Sequence, residues 1–294
     1  MVFKNRYGEL RSGWAVAAAM ALIILGLLIA QGFAPDGKED DFTLKAMATL
    51  IYGLLVIGGG LLLFKLIYKR NPAQMGIIRE GWFPGLLYGF GMGIVSTGIT
   101  FIVLFLSGQA IVAGINISRL LSFGIIIELI SVSVFAFSEE LIARGFIMTA
   151  FKTTRNKLVI ISASSVIFAL AHLLNPGIAV LPVINTFLAG LLFAYMFVRS
   201  GKLWLSAGFH ISWNFMLSDI LGMSVSGNEQ TGVLTTQMGT NQLLSGGAYG
   251  PEGGLIVTGV LMLALLYVHF VIKTPAAKVW TMTSDLPLTR GSTE

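Results

Sequence analysis

Val132-Ser133-Val134-Phe135-Ala136-Phe137-Ser138-Glu139-Glu140-Leu141-Ile142-Ala143-Arg144 decides how this chain is read. Without its two acids and its arginine, the stretch is a plain piece of membrane helix. Segments of the same apolar character recur throughout. Of the 294 residues, 55% are hydrophobic and 11% charged, and the mean hydropathy is +0.83. Soluble domains carry about 25% charged residues, so the composition indicates an integral membrane protein. A bilayer span needs roughly 20 apolar residues. Eight segments qualify: 13–34, 46–66, 82–107, 121–143, 158–174, 178–198, 203–222 and 254–272. The expected fold is an all-α, polytopic membrane helical bundle of about eight transmembrane helices, with residues 1–294 as a single integral-membrane domain. The first apolar run is too long for a signal-peptide core and has no clear small-x-small cleavage site, so it reads as a retained helix.

The connections sort by charge. Lys4, Arg6 and Arg11 precede the first span, and Lys65, Lys69, Arg70 and Arg79 follow the second. Lys152, Arg155 and Lys157 follow the fourth, Arg199 and Lys202 the sixth, and Lys273, Lys278 and Arg290 the eighth. The alternate connections carry few cations: Asp36-Gly37-Lys38-Glu39-Asp40-Asp41, the 108–120 link with Arg119, the Asn175-Pro176-Gly177 turn, and a 223–253 loop without Lys or Arg. The positive-inside rule then places both termini in the cytoplasm of a multi-pass protein of the cell membrane. The net charge of +5 is topological and does not point to nucleic acid. The absence of cysteine removes disulfides, thiol nucleophiles and thiolate metal sites. The 223–253 loop reads equally as a lid or binding loop and as a solvated connector. No internal repeat is visible, which disfavours an inverted-repeat transporter.

Ionisable groups inside hydrocarbon cost several kcal/mol and mark function by default. On a helix, Glu140 and Arg144 share a face, while Glu139 points about 100° away. A buried ion pair that organises helix packing is the plain reading of Glu140 and Arg144. Glu139 lacks that partner and has Ala136 and Ala143 beside it, which leaves room for water or substrate and suits a general base. His172 follows Phe168 by four residues and shares its face, and His210 likewise precedes Asn214. A lone intramembrane histidine is often a helix-bridging residue. Together with Glu139, the two histidines and Asn214 outline a catalytic cavity. His269 has no polar partner at helical spacing and reads as interfacial. Glu128 lies three turns before Glu139 on nearly the same face, either lining a route to the site or sitting at the interface. Asn185, Ser164 and Ser165 can bond between helices, and Asp219 approaches the external boundary. There is no Gly-x-Ser-x-Gly elbow and no His-Glu-x-x-His helix.

Glu-Glu-x-x-x-Arg, Phe-x-x-x-His and His-x-x-x-Asn, in this order on successive membrane helices, resemble the CPBP (CAAX protease and bacteriocin-processing, or Abi) intramembrane protease family, related to type II CAAX prenyl endopeptidases. The resemblance covers about residues 120–222, the motif-bearing core. Ser226-Gly227 and Gly250-Pro251-Glu252-Gly253 also look like bacterial members. The resemblance implies that Glu139 and His172 activate a water, that His210 and Asn214 stabilise the oxyanion, and that Glu140, Arg144 and Phe168 support them. It implies an endopeptidase with no cofactor, acting on a peptide or membrane-anchored protein substrate in contact with membrane lipid. A metalloendopeptidase-like alternative places zinc on Glu139, His172 and His210, since two histidines and a glutamate form a known catalytic set. Two other classes stay open: a non-catalytic binding or immunity protein, and a proton-coupled transporter.

Depth raises a difficulty. His210 lies eight residues from Lys202, roughly 12 Å of helix, whereas His172 lies fifteen from Lys157, roughly 22 Å. The two agree if the fifth helix begins below the membrane surface or tilts. The expected cavity then lies in the cytoplasmic half and opens to the cytosol.

Overall fold

The computed structural model describes residues 2–5, 9–33 and 42–273. Arg6, the 36–41 connection, Lys278 and Arg290 lie outside them. The helices are α1 (Ser12–Gln31), α2 (Phe42–Tyr68), α3 (Trp82–Leu106), α4 (Ile117–Leu120), α5 (Phe123–Glu140), α6 (Met148–Phe151), α7 (Lys157–Ala171), α8 (Val180–Ser200), α9 (Trp204–Phe215), α10 (Gln242–Ser245) and α11 (Leu255–Val271). Over its described residues, each of the eight expected apolar segments is mainly helical. Among the described residues four helices, Ser12–Gln31, Leu44–Tyr68, Trp82–Leu106 and Val180–Ser200, are long and apolar enough to cross a membrane, and Lys157–Ala171 and Leu255–Val271 are shorter apolar helices.

Local chemistry sets the helix ends. Pro84 and Pro182 fall in the first turns of α3 and α8, where a missing N–H breaks no helical bond. Asn156 caps α7 by accepting from the N–H groups of Leu158 and Val159. Side chains such as Leu25, Leu28, Leu106 and Leu174 are exposed, as apolar groups facing lipid would be. Inside the bundle α3 and α9 cross at backbone contact. A Cβ on Gly89 would lie 2.0 Å from the Leu205 carbonyl oxygen, and one on Gly208 would lie 2.1 Å from that of Leu86. Small residues permit this approach where lipid supplies no hydrophobic drive to associate.

Two departures from regular helix matter for the site. α5 continues past Glu140 as a π-helix, Leu141–Ile147, before α6, and α9 continues as a second one, Met216–Ile220. π segments often lie at functional sites, and here each directly follows a stretch that carries site residues.

The all-α expectation needs one addition. β1 (Ala110–Ile115) pairs antiparallel with β2 (Leu234–Met238), with Ala110 opposite Met238 and Ile115 opposite Leu234. Both strands lie in segments read as connections. The 223–253 loop is accordingly no solvated connector: Tyr249, Met223 and Val233 are buried in it.

Contacts between connections divide the bundle into two ends. At one end Glu9 pairs with Arg70 at 2.6 Å, and the Ser12 hydroxyl donates to the Ala150 carbonyl. The α8–α9 turn joins this end through the 72–81 segment: Leu203 N–H donates to Gly76 O at 3.0 Å and Trp204 Nε1 to Ile78 O at 2.7 Å. Gly76 sits at φ +89°, and a Cβ there would meet the Phe197 ring at 2.4 Å. At the other end β1 meets β2, Lys45 Nζ donates to Glu229 O, and Asn175 Nδ2 donates to Ser226 O.

This explains the depth difficulty. The α8–α9 turn is not at the surface. The 72–81 segment lies beneath it, and Lys202 extends its amine past the turn to the Glu80 carbonyl. His210 is therefore deeper than its distance from Lys202 suggests.

Candidate active site

α5 delivers the glutamate pair to two environments. Glu140 is fully buried and its Oε1 lies 3.0 Å from Arg144 Nη1, also fully buried, in the i,i+4 pairing expected. Arg144 Nη2 donates to the Gly190 carbonyl at 3.0 Å. Its guanidinium sits 4.5 Å from the Phe168 ring centroid and 5.1 Å from that of Phe193, both cation–π distances. Arginine suits this place because its planar, weakly hydrated cation can stack and bond at once.

Glu139 instead faces a cavity of about 950 Å³, which His172, His210 and Asn214 also line. The side chains singled out from the three motifs thus converge. Phe168 lines it too, while Glu140 and Arg144 stand behind the wall.

The ring nitrogens carry the site's chemistry. His172 Nδ1 lies 2.8 Å from the Phe168 carbonyl oxygen. A carbonyl only accepts, so Nδ1 bears the hydrogen and Nε2 remains the acceptor of the neutral ring. His210 lies between the two carboxylates, with Nδ1 3.2 Å from Glu140 Oε1 and Nε2 3.5 Å from Glu139 Oε2. With Nδ1 donating to Glu140, a bare Nε2 would present a lone pair to Glu139. The second contact attracts when a proton lies between them. Phe193 stacks on the His210 ring at 4.8 Å and fixes its plane.

Zinc on Glu139, His172 and His210 would need the three to form one shell. Among the described residues no group of three or more His, Cys, Asp or Glu side chains is placed to hold a metal ion. The two His210 nitrogens both face carboxylates.

The weaker candidates resolve individually. Glu128 is buried, lines the cavity and pairs with Arg119, so it belongs to the wall and not to an interface. Asp219 is buried and also lines the cavity, its carboxylate accepting from the Ser218 hydroxyl. Ser164 bonds between helices, to the Ala143 carbonyl at 2.8 Å, whereas Ser165 bonds within its own helix to Ile161. Asn185 donates to the Glu252 and Gly254 carbonyls and accepts from Thr258. His269 is exposed and bonds Tyr195 at 2.8 Å, a partner on another helix that sequence spacing cannot reveal.

Two contributions escape sequence reasoning. Tyr52 of α2 lines the cavity as an electrostatic neighbour of Glu139, but nothing in its own segment marks it. Glu252, in the 223–253 loop, accepts from Trp213 Nε1 at 2.8 Å and from the backbone N–H and hydroxyl of Ser226. It fastens the loop beside Asn214.

The exposed polar residues of the cavity lining lie at one end of the bundle. The lining includes Lys45, Asn228, Glu229 and Thr231, all exposed and all at the β1–β2 end, and none of the lysines or arginines of the opposite end.

No curated protein and no solved structure matches the chain. Residues 119–216, which supply every motif side chain named above, match the family model described as type II CAAX prenyl endopeptidase Rce1-like, the family that the three motifs resemble.

Proposed function

We propose that the chain is an intramembrane endopeptidase that hydrolyses a peptide bond with a water activated by Glu139 and His172. The observation that carries this reading is the convergence of Glu139, His172, His210 and Asn214 on one cavity, with the Glu140–Arg144 pair fixed behind it. Glu139 takes a proton from the water, and His172 Nε2 orients it by accepting its other hydrogen. The oxygen bonds to the carbonyl carbon, and the carbonyl electrons move onto its oxygen. The Asn214 amide and a protonated His210 Nε2 donate to that oxyanion, each donor contributing about 3–4 kcal/mol. Collapse breaks the C–N bond, and the proton held on Glu139 passes to the leaving amine. Glu140 holds His210 at Nδ1, and Phe168 packs between His172 and Arg144.

The eight helical segments, with cations gathered at one end, support eight crossings in a bacterial cell membrane with both termini cytoplasmic. Residues 1–294 then form one domain around a catalytic core at about 120–222. The substrate is a peptide or a membrane-anchored protein.

The test is Glu139→Gln in reconstituted vesicles, with peptide products compared by mass spectrometry. Loss of cleavage with an intact fold supports the proposal. Persistent cleavage removes Glu139 from the role. A proton flux abolished by the substitution without any proteolysis selects transport instead.

A further inference from the structure

The floor of the catalytic cavity is closely packed. From Leu141 to Ala150 every residue is buried, and this run lies between the site and the cation-rich end. Phe64, Met75 and Phe146 pack into the same apolar plug, and Leu203 closes the α8–α9 side.

The other end is built differently. The cavity reaches the exposed residues Lys45, Asn228, Glu229 and Thr231 there. Its wall on that side is polar: Arg119 pairs with Glu128, and Asp219 lies beside them. The two described cations of this end, Lys45 and Arg119, both bond to cavity-lining residues. The other described lysines and arginines of the connections cluster beneath the plug, where the positive-inside rule places the cytoplasm.

We propose that the cavity receives its substrate from the extracytoplasmic face, through the rim formed by Lys45 and residues 228–231. The substrate class is a peptide segment exposed outside the membrane or in its outer leaflet, and not a cytosolic C-terminus. This rests on the protease reading for the word substrate, while the sidedness of access stands apart from it.

The chain's lack of cysteine makes the test direct. Thr231→Cys places a thiol on the rim, Thr49→Cys places one on the cavity wall, and Lys157→Cys marks the opposite end. Intact cells are treated with a small, charged, membrane-impermeant maleimide. The expected result is labelling of Thr231→Cys and Thr49→Cys in intact cells, with Lys157→Cys labelled only after permeabilisation. Labelling of Lys157→Cys alone in intact cells overturns the proposal. So does protection of Thr49→Cys until the cytoplasmic face is opened, even where Thr231→Cys reacts. A bulky maleimide on Thr231→Cys should further abolish cleavage relative to the same protein unlabelled. If Glu139→Gln leaves cleavage intact while the labelling pattern holds, the protease assignment of Glu139 fails and the access route survives.

Discussion

Glu140 Oε1 lies 3.2 Å from His210 Nδ1, and both residues are buried. The ion pair at the rear of the site therefore reaches the cavity through one imidazole ring. The same Oε1 faces Arg144 at 3.0 Å, so one oxygen joins the cation to the ring. Stability and chemistry are coupled at this atom, and substitutions can separate them.

Breaking a buried pair by removing one partner costs about 3–5 kcal/mol, because an uncompensated charge stays behind. Glu140→Leu and Arg144→Leu should each lower the detergent-solubilised melting temperature sharply. The double leucine variant should be more stable than either single one, since no charge is left stranded. It should still be inactive, because His210 has lost its acceptor at Nδ1. A double variant less stable than both singles would show that the pair itself holds the fold.

Glu139→Gln should behave in the opposite way. The side chain is partly exposed to the cavity and, among the described residues, bears no ion pair to Arg or Lys. Folding should be unaffected, and the cleavage rate should fall by roughly 10²–10⁴, the span typical of a positioned general base. A melting temperature shifted as far as in the Arg144 variant would make Glu139 a structural residue.

Asn214→Ala should lower kcat by roughly 10²–10³ with little change in KM, as loss of an oxyanion donor does. Asn214→Asp should be as inactive, since a carboxylate has no N–H to donate. A KM effect alone would place Asn214 in substrate binding.

The motif residues were legible because helical spacing fixes faces. Glu140 with Arg144 and Phe168 with His172 follow from a separation of four, and both pairs meet. That His210 lies between the two carboxylates was not legible, because it depends on how α9 crosses α5. The two strands were hidden for another reason. Ala110–Ile115 has the β-branched residues of a strand, but its partner lies more than a hundred residues away in a Gly- and Thr-rich loop. The depth argument failed because residue counts assume that turns lie at the surface, and the α8–α9 turn does not.

The α3–α9 crossing predicts a contrast among glycines of α3. Gly89→Ala would drive a Cβ to 2.0 Å from the Leu205 carbonyl oxygen, which cannot swing aside, so the helices must separate. Overpacking of this kind costs about 1–3 kcal/mol. Gly91→Ala and Gly98→Ala meet nothing within 4 Å and should be neutral or slightly stabilising, since alanine is favoured in helices by roughly 0.5–1 kcal/mol. Because α9 carries His210 and Asn214, Gly89→Ala should also lose activity. Equal melting temperatures for all three would mean that the helices do not meet so closely.

Glu252 makes the last case. Its two oxygens take three donors: Trp213 Nε1 at 2.8 Å, Ser226 N–H at 2.5 Å and the Ser226 hydroxyl at 3.0 Å. Glu252→Gln turns one acceptor into a donor, so an N–H must face either the indole or the Ser226 amide. Hydrogen bonds to charged groups contribute about 1.5–3 kcal/mol, enough to loosen a loop without unfolding a bundle. Amide hydrogen exchange across 223–253 should rise in Glu252→Gln, while α5 and α7 stay protected. Ser226→Ala removes only the hydroxyl and should have a smaller effect, and Trp213→Phe should fall between. Activity should follow the exchange rates, because the released loop is the wall beside Asn214. Faster exchange with undiminished cleavage would leave Glu252 a fastening for the loop and nothing more.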